Sequence, residues 1–438
     1  MVRNSSKTSH SSERHSLADL GLVVASSAAI VDNELGKKEL PPLDDERFPV
    51  SFPLLSPEGS HARLELIYAA LNIIRLASGP ADYLANLTLQ GFELGTISTV
   101  IRLHVLEYIP IGGTASFEEL SSKTGIEKQL LTRLIRYSIS AGFLSEQPPG
   151  HVRHNSVSSA CLRDPNTHDH NLWNINCATP ASLKLFESLQ LDPTGTDGAK
   201  TGFSIAMAGP GKPLGTIWDY HANHPDVARQ FQNYMASMPS MYVYDSRHLT
   251  QGFDWTQVKT IVDMGGSGGH FSMAIYDSYP HVKAAVQDIG DTVTTARAKL
   301  PPKYHKAITI EEHDFFQPQK TVADCYILRF ILHNWSDDKV RDIIRNLTPA
   351  LRPGVWVLVM DHVLPTEAHS VHPLTERIIR NMDITMLGLM AGRERTEEDY
   401  KRLLQGVDPR LELRSSICPV GSALTLLEFQ VIGSSDNC

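Results

Sequence analysis

Four glycines, Gly265, Gly266, Gly268 and Gly269, follow the β-rich apolar run Thr260 to Met264, which contains Asp263. Glycine lets a backbone turn sharply and approach a ligand where a Cβ would collide. A helical stretch comes next, then a second run, Lys283 to Gln287, ending on Asp288. An acid at that strand end can accept hydrogen bonds from both hydroxyls of a ribose. In outline this is a nucleotide-cofactor site. It is not the dinucleotide fingerprint G-x-G-x-x-G, because the third position counted from Gly266 and Gly268 is Phe271. The order is D-x-G-G-x-G-G. An acid just before the turn opposes a pyrophosphate and suits a cationic sulfonium or amine. The bland alternative is a glycine-rich loop with no ligand.

A second constellation centres on His333. Ala323 to Trp335 reads ADCYILRFILHNW and is followed by SDDK. Ser336 is a good N-cap, and Asp337 and Asp338 suit the first turn of a helix. His333 therefore falls on the loop between a buried strand and that helix, where open α/β sheets bind ligands. Most of the 19 histidines have no such context. Two acids fall in the same half: Asp361 ends the strand VWVLVMD, and Glu394 lies in the turn GRERTEEDY. An acid beside an imidazole fixes its tautomer and raises its basicity. The chemistry suggested is general-base removal of a hydroxyl proton. Against a phenol the transfer is uphill by about 3.5 pKa units, roughly 5 kcal/mol, and neighbouring carboxylates narrow that gap.

These residues need a doubly wound α/β sheet to hold them. Strands are predicted at 258–264, 283–288, 307–310, 324–329, 355–361, 411–417 and 424–432. Helices begin near Gly269, Thr292, Ser336 and Thr396. Alternating β and α implies a mostly parallel, Rossmann-like sheet. The short connection Cys418 to Ser422 makes the last two strands an antiparallel edge hairpin.

The rest of the chain divides into three parts. Residues 1–58 are polar, then proline-rich, and predict a disordered or loosely ordered arm, with a possible amphipathic segment at Leu17 to Val31. Within 59–165, a helix from His61 stops at Gly79-Pro80 and a second covers Gly95 to Tyr108. A capping box, Ser116 with Glu119, then opens a helix-turn-helix plus wing, with Leu130, Leu131, Leu134 and Ile135 as the second helix's buried face. Residues 166–250 form a helical bridge with helices at Asp226 to Met238 and Met241 to Thr250. Its Met and Tyr residues are either core or the wall of a pocket for a planar substrate. The remainder, 251–438, is the cofactor domain.

Composition narrows the function. The 438 residues carry a net charge of −9 and no strongly basic block, which argues against a dedicated nucleic-acid protein. The winged region could read DNA, but only Lys128, Arg133 and Arg136 offer phosphate contacts, so dimerisation and pocket lining are the preferred role. Five scattered cysteines form no C-x-x-C pair and fit a reducing, cytoplasmic setting with neither zinc nor disulfides. There is no apolar run of about 18 residues, so no membrane span is expected.

The set VDMGGSGGH, HDFF, LRFILHNWSDD, LVMDHVLP and GRERTEEDYKRLL, in this order and spacing, resembles the plant and fungal class I S-adenosylmethionine-dependent small-molecule O-methyltransferases of the caffeate and sterigmatocystin-precursor type. The resemblance covers roughly residues 60–435. It implies a winged-helix homodimer with S-adenosylmethionine as cofactor and no metal. It implies His333 as base, with Asp361 and Glu394 flanking it. It places Gly265 at the methionine end of the cofactor, Asp288 at the ribose and Asp314 and Phe315 at the adenine, with Asp263, Gly266 and Gly268 also in the cofactor site. Arg329 would lie near the cofactor carboxylate or the loop. Met235, Met238, Phe330, Asn334, Met382 and Met386 are the expected pocket residues. Plant members usually have Glu at 361, Lys at 329 and Asp at 334, and Asp-Leu-Pro where Asp288-Ile289-Gly290 stands; none of these changes removes the histidine. The sequence style looks fungal, which suggests an aromatic hydroxyl on a polyketide-type secondary metabolite as acceptor. N-methyl transfer, a non-methylating reaction in the same pocket, and a regulator that senses the cofactor are the alternatives.

Overall fold

The computed structural model describes residues 16–209, 212, 215–367 and 370–433. Within the expected arm, Leu17–Leu35 is a 19-residue helix, which corrects that expectation for these residues. Ser16 and Asp19 close a capping box at its start, which satisfies backbone donors that a helix end otherwise leaves open. Composition averaged over residues 1–58 hid this Leu-, Val- and Ala-rich run between a polar head and a proline-rich tail. Residues 1–15 lie outside the described residues. Glu34, near the helix end, accepts from the Ser56 backbone N–H at 2.8 Å and so ties this helix to the next.

Helix Pro57–Arg102 covers 46 residues around one break, at Gly79 (φ 72°, ψ 169°) before Pro80. Proline has no N–H for the ladder, and glycine alone takes that φ without strain. The expected stop is thus a kink, and the helix resumes at once instead of at Gly95. Helices Phe117–Thr124 and Lys128–Ser140 follow, joined by Gly125 at φ 72°. Strands β1 (Ala115–Ser116), β2 (Ser145–Glu146) and β3 (His151–Arg153) pack beside them as an antiparallel sheet in the order β1-β3-β2. Leu131 and Ile135 are fully buried on the second helix, whereas Leu130 is 45% exposed, so the packed stripe is narrower than expected. In the bridge, the helix expected over Met241 to Thr250 breaks at Asp245. Its carboxylate accepts from Arg247 N–H at 2.8 Å, an Asx-type contact that competes with helix.

The second half is one seven-stranded sheet. Its strands are β4 (Thr260–Met264), β5 (Lys283–Asp288), β6 (Ile308–Glu312), β7 (Cys325–Arg329), β8 (Trp356–Asp361), β9 (Leu411–Ile417) and β10 (Thr425–Val431). The order is β6-β5-β4-β7-β8-β10-β9. The first five are mutually parallel and β10 is antiparallel to both neighbours. Side chains alternate between two buried layers. Ile261, Ile327 and Leu358 pack with helices His270–Ser278 and Gly290–Lys299. Val262, Leu328 and Val359 pack with helices Asp337–Leu347 and Glu397–Val407. Burial on both faces explains why these strands read as unbroken apolar runs. Helix Pro373–Met390, between β8 and Glu397–Val407, had no counterpart in the sequence-based prediction. The chain leaves β4 in one direction and returns to β7 on its other side. The carboxyl ends of β4 and β7 therefore flank a topological switch point, the usual ligand crevice of such sheets. No helix among the described residues is long and apolar enough to cross a membrane.

Candidate active site

Strand β7 ends on Arg329, and Phe330 then adopts φ 56°, a left-handed conformation costly for a bulky side chain. That bend feeds a short 3₁₀ turn, Leu332–Asn334, which carries His333. Several groups hold the turn in place. Asn334 Nδ2 donates to the Phe330 carbonyl at 3.0 Å. Arg395, fully buried, donates to the carbonyls of Leu332 (2.7 Å) and Trp335 (2.6 Å) and pairs with Asp337 at 3.0 Å. The Arg393 N–H donates to the His333 carbonyl at 3.1 Å. A Cβ on Gly392 would lie 2.5 Å from that same oxygen, so only glycine fits. Segment 392–395 is moulded onto the histidine loop, a role that sequence reasoning did not assign to Gly392 or Arg395.

His333 is 4% exposed and its Nδ1 lies 2.7 Å from Glu394 Oε1. An ionised carboxylate only accepts, so Nδ1 carries the proton and Nε2 keeps a free lone pair. Burial works against a charged imidazole, but the negative charges of Glu394 and Asp361 outweigh it and raise the His333 pKa above its ordinary value. Burial likewise disfavours the Glu394 carboxylate, yet the His333 charge and hydrogen bond hold its pKa below the usual range. The Glu394 backbone N–H donates to Asp383 at 2.9 Å. Asp361 is fully buried and accepts from the Tyr400 hydroxyl at 3.0 Å, while its second oxygen has no hydrogen-bond partner. It acts on His333 by charge, and burial raises its own pKa.

His362, unremarked in the sequence, completes the group. Its Nδ1 lies 3.1 Å from the same Glu394 Oε1, and its Nε2 lies 3.1 Å from the Tyr244 hydroxyl. The ligand atoms of His333, His362 and Glu394 fall within 4.8 Å of one another. A cation there would have to displace both Nδ1 protons now donated to Glu394.

The glycine turn lies beside this loop. A Cβ on Gly265 (φ 69°) would lie 2.5 Å from Ile331 Cδ1 and 3.6 Å from Phe315, so the turn, the histidine loop and the β6 end converge. A Cβ on Gly266 would meet the Asp263 carboxyl at 2.6 Å, and one on Gly268 would approach His270 Nε2 at 3.1 Å. Asp263 lies beneath the turn and accepts from Ser272 at 2.8 Å; burial pushes its carboxyl up to about 6 despite the pull of Arg329. Asp288 accepts from the N–H groups of Ser267 (2.9 Å) and Ile289 (2.8 Å), leaving lone pairs on both oxygens for further donors. Asp314 accepts from Phe316 N–H at 2.9 Å and holds the turn that presents Phe315. The Arg329 guanidinium lies 3.5 Å from the Phe271 ring centroid and donates to the Tyr244 carbonyl at 3.1 Å. Its Nε is buried without a partner, a donor free for an anionic group. A glycine cradle, an acid at the second strand end and an orphan cationic donor together fit a nucleoside carrying an amino-acid tail.

The expected pocket residues fall unevenly. Phe330 stacks on His333 at 5.5 Å, and Met238 is buried in the core with Tyr244. Met386 is buried and its carbonyl accepts from Gly392 N–H at 3.2 Å. Met235 and Met382 are part-buried. A cavity of about 490 Å³ opens nearby, between helix Pro57–Arg102, segment 237–243 and helix Pro373–Met390. Arg63, His170, Tyr242, Leu374 and Ile378 line it, and none of the six expected residues does.

Comparison with known proteins agrees with this geometry. A family model described as the O-methyltransferase domain matches residues 203–408. O-methyltransferase FrzF of Cladobotryum sp is 35% identical over 391 residues, spanning 88% of this chain and 91% of that protein. The 6-hydroxytryprostatin B O-methyltransferase of Neosartorya fischeri is also 35% identical, over 86% of this chain and 91% of that protein. Among solved structures, human N-acetylserotonin methyltransferase in complex with SAM superposes with a TM-score of 0.66 at 19% identity, covering 81% of this chain and 99% of that one. The chain belongs to the class I S-adenosylmethionine-dependent O-methyltransferases, of the type found in fungi. The fold, enzyme class and cofactor implied by the sequence motifs hold.

Proposed function

We propose that the chain methylates a phenolic hydroxyl of an aromatic small molecule, a secondary metabolite of polyketide type, with His333 as general base. The observation that carries this reading is the buried His333–Glu394 contact of 2.7 Å on the loop beside the glycine turn. The bound cofactor supplies an electrophilic methyl group on a sulfonium. Asp288 would hold the ribose hydroxyls, Asp314 and Phe315 would hold the adenine, and the orphan Arg329 Nε would serve the carboxylate of the amino-acid tail. His333 Nε2 would take the phenol proton as the oxygen gains the methyl group; the methyl carbon–sulfur bond would break and the sulfur leave as a neutral thioether. Glu394 and Asp361 stabilise the resulting imidazolium, which narrows the pKa gap between phenol and histidine. The test is to incubate the enzyme with methyl-labelled cofactor and matched panels of aromatic phenols and amines, and to read products by mass spectrometry. Label on phenolic oxygen supports the reading; label only on nitrogen overturns it.

The same reading makes the N-terminal half a winged-helix dimerisation unit. Beyond the Gly79 kink, helix Pro57–Arg102 exposes Leu84 (63%), Leu89 (53%) and Phe92 (73%), a face that needs a partner surface. A second copy of the chain is the proposed partner. Nucleic acid fits poorly: Lys128 is 2.7 Å from Glu118 and Arg136 is 2.9 Å from Glu146, so two of the three bases on the presumed reading helix are already paired.

A further inference from the structure

His362 has no part in the reaction just described, yet it is fully buried against the group that matters most. Glu394 Oε1 takes two imidazole donors, His333 Nδ1 at 2.7 Å and His362 Nδ1 at 3.1 Å. The far side of His362 is equally committed, because its Nε2 lies 3.1 Å from the Tyr244 hydroxyl. Tyr244 is buried, and burial raises its phenol pKa, so it stays a neutral hydroxyl; with the His362 Nδ1 proton given to Glu394, the Nε2 lone pair of the neutral ring accepts from it. Each link then has one sign. Tyr244 O–H donates to His362 Nε2, His362 Nδ1–H donates to Glu394, and His333 Nδ1–H donates to Glu394 from the other side.

We infer that His362 is a positioning residue that sets the basicity of His333 by sharing its carboxylate. A second donor on Oε1 withdraws charge from that oxygen and stabilises the ionised form of Glu394. Two consequences follow. The proton that His333 accepts stays on the imidazole, because Glu394 is a poor acceptor for it. The His333 pKa is also held below the value a carboxylate devoted to it alone would impose. The other charged or titratable groups around this cluster are Asp361, Tyr400, Arg395, Asp383 and Arg329. None of the five has a hydrogen bond to either imidazole. The inference rests on the assignment of His333 as base for its functional meaning, but its test does not need a substrate.

The test is an NMR titration of the full-length protein with labelled histidine, the His333 signals being assigned by their loss in His333→Gln. Two substitutions separate the two ends of the ring. His362→Asn places an amide donor near the Nδ1 position and keeps the bond to Glu394. His362→Gln places its amide near Nε2, keeps a partner for Tyr244 and removes the donor to Glu394. The expected result is a His333 midpoint raised by about one pH unit in His362→Gln, the scale of one lost hydrogen bond to a charged group, and a midpoint near wild type in His362→Asn. An unmoved midpoint in His362→Gln, or equal shifts in both, overturns the inference. If neither variant folds, the wild type still decides. A neutral His362 protonated on Nδ1 is required, and a ring protonated on Nε2 overturns the inference. Failure of the base assignment shows separately, as undiminished methyl transfer by His333→Ala.

Discussion

The Asp288 carboxylate is fastened by two backbone donors, one of them from Ser267 inside the glycine turn. Removing the carboxylate also releases the Ser267 N–H inside the turn, so the substitution reports both contacts. Asp288→Ala is predicted to weaken S-adenosylmethionine binding by about 1.5–3 kcal/mol, the range for hydrogen bonds to a charged partner; calorimetry measures it directly, and unchanged affinity removes Asp288 from the ribose. His333 gives the pH dependence. A base must be neutral to act, so the rate declines as pH falls through its pKa. Because the Glu394 and Asp361 charges raise that pKa, the decline should set in above the ordinary histidine range, near pH 6.5. In Glu394→Gln the midpoint should move down and the rate fall; Asp361→Asn, lacking a bond to the ring, should have a smaller effect. That His333, Asp361 and Glu394 lie together, with Asp288 at a strand end, was legible in the sequence because strand ends and caps are. His362, Gly392 and Arg395 were not: their roles depend on contacts across 32 to 63 residues of chain, which no local pattern encodes.

At the scale of elements, the site gathers the carboxyl ends of β4 to β8 and segment 392–395, which follows helix Pro373–Met390. Strands β7 and β8 were readable as apolar runs, whereas β9, LELRSSI, is not one. The helix after Thr396 was readable from its capping box; Ser336 stands at the N-cap position of its helix without a side-chain capping bond. Pro373–Met390 was not assigned, although its buried Thr375, Ile379, Met386 and Leu389 recur at helical spacing. The break at Asp245 was missed because the Met and Tyr spacing looked helical, and one Asx contact overrode it. The 392–395 segment supplies the clearest test at this scale. Gly392→Ala forces a Cβ against the His333 carbonyl, so the loop must shift. The predicted outcome is a loss of kcat of about 10²-fold, the cost of misplacing a catalytic group by roughly 1 Å, with cofactor affinity preserved. Steady-state kinetics beside calorimetry checks both halves; equal loss of cofactor affinity would mean the damage is general.

At the scale of the whole molecule, side-chain contacts tie helix Pro57–Arg102 both to the bridge and to the sheet domain. Among them are the Ser60–Tyr242 hydroxyl contact and the 3.4 Å approach of His372 to Glu65. The Arg63 guanidinium lies 4.6 Å from the ring centroids of both Phe52 and Tyr242. The exposed Leu84, Leu89 and Phe92 lie on the part of the long helix that projects past the Gly79 kink. We expect a symmetric homodimer by light scattering at micromolar concentration, and Phe92→Asp with Leu84→Asp should shift it to monomer. A wild-type monomer under those conditions refutes the dimer.

The central claim is that His333 removes the substrate proton while the cofactor is held elsewhere. Single-turnover methyl transfer by His333→Ala, on the phenol that the wild type methylates and with cofactor affinity measured on the same preparation, tests it most directly. The account predicts unchanged S-adenosylmethionine binding and a rate lowered by about 10²–10⁴-fold, the usual cost of losing a positioned general base. A His333→Ala rate within about threefold of wild type, far short of that loss, would contradict it.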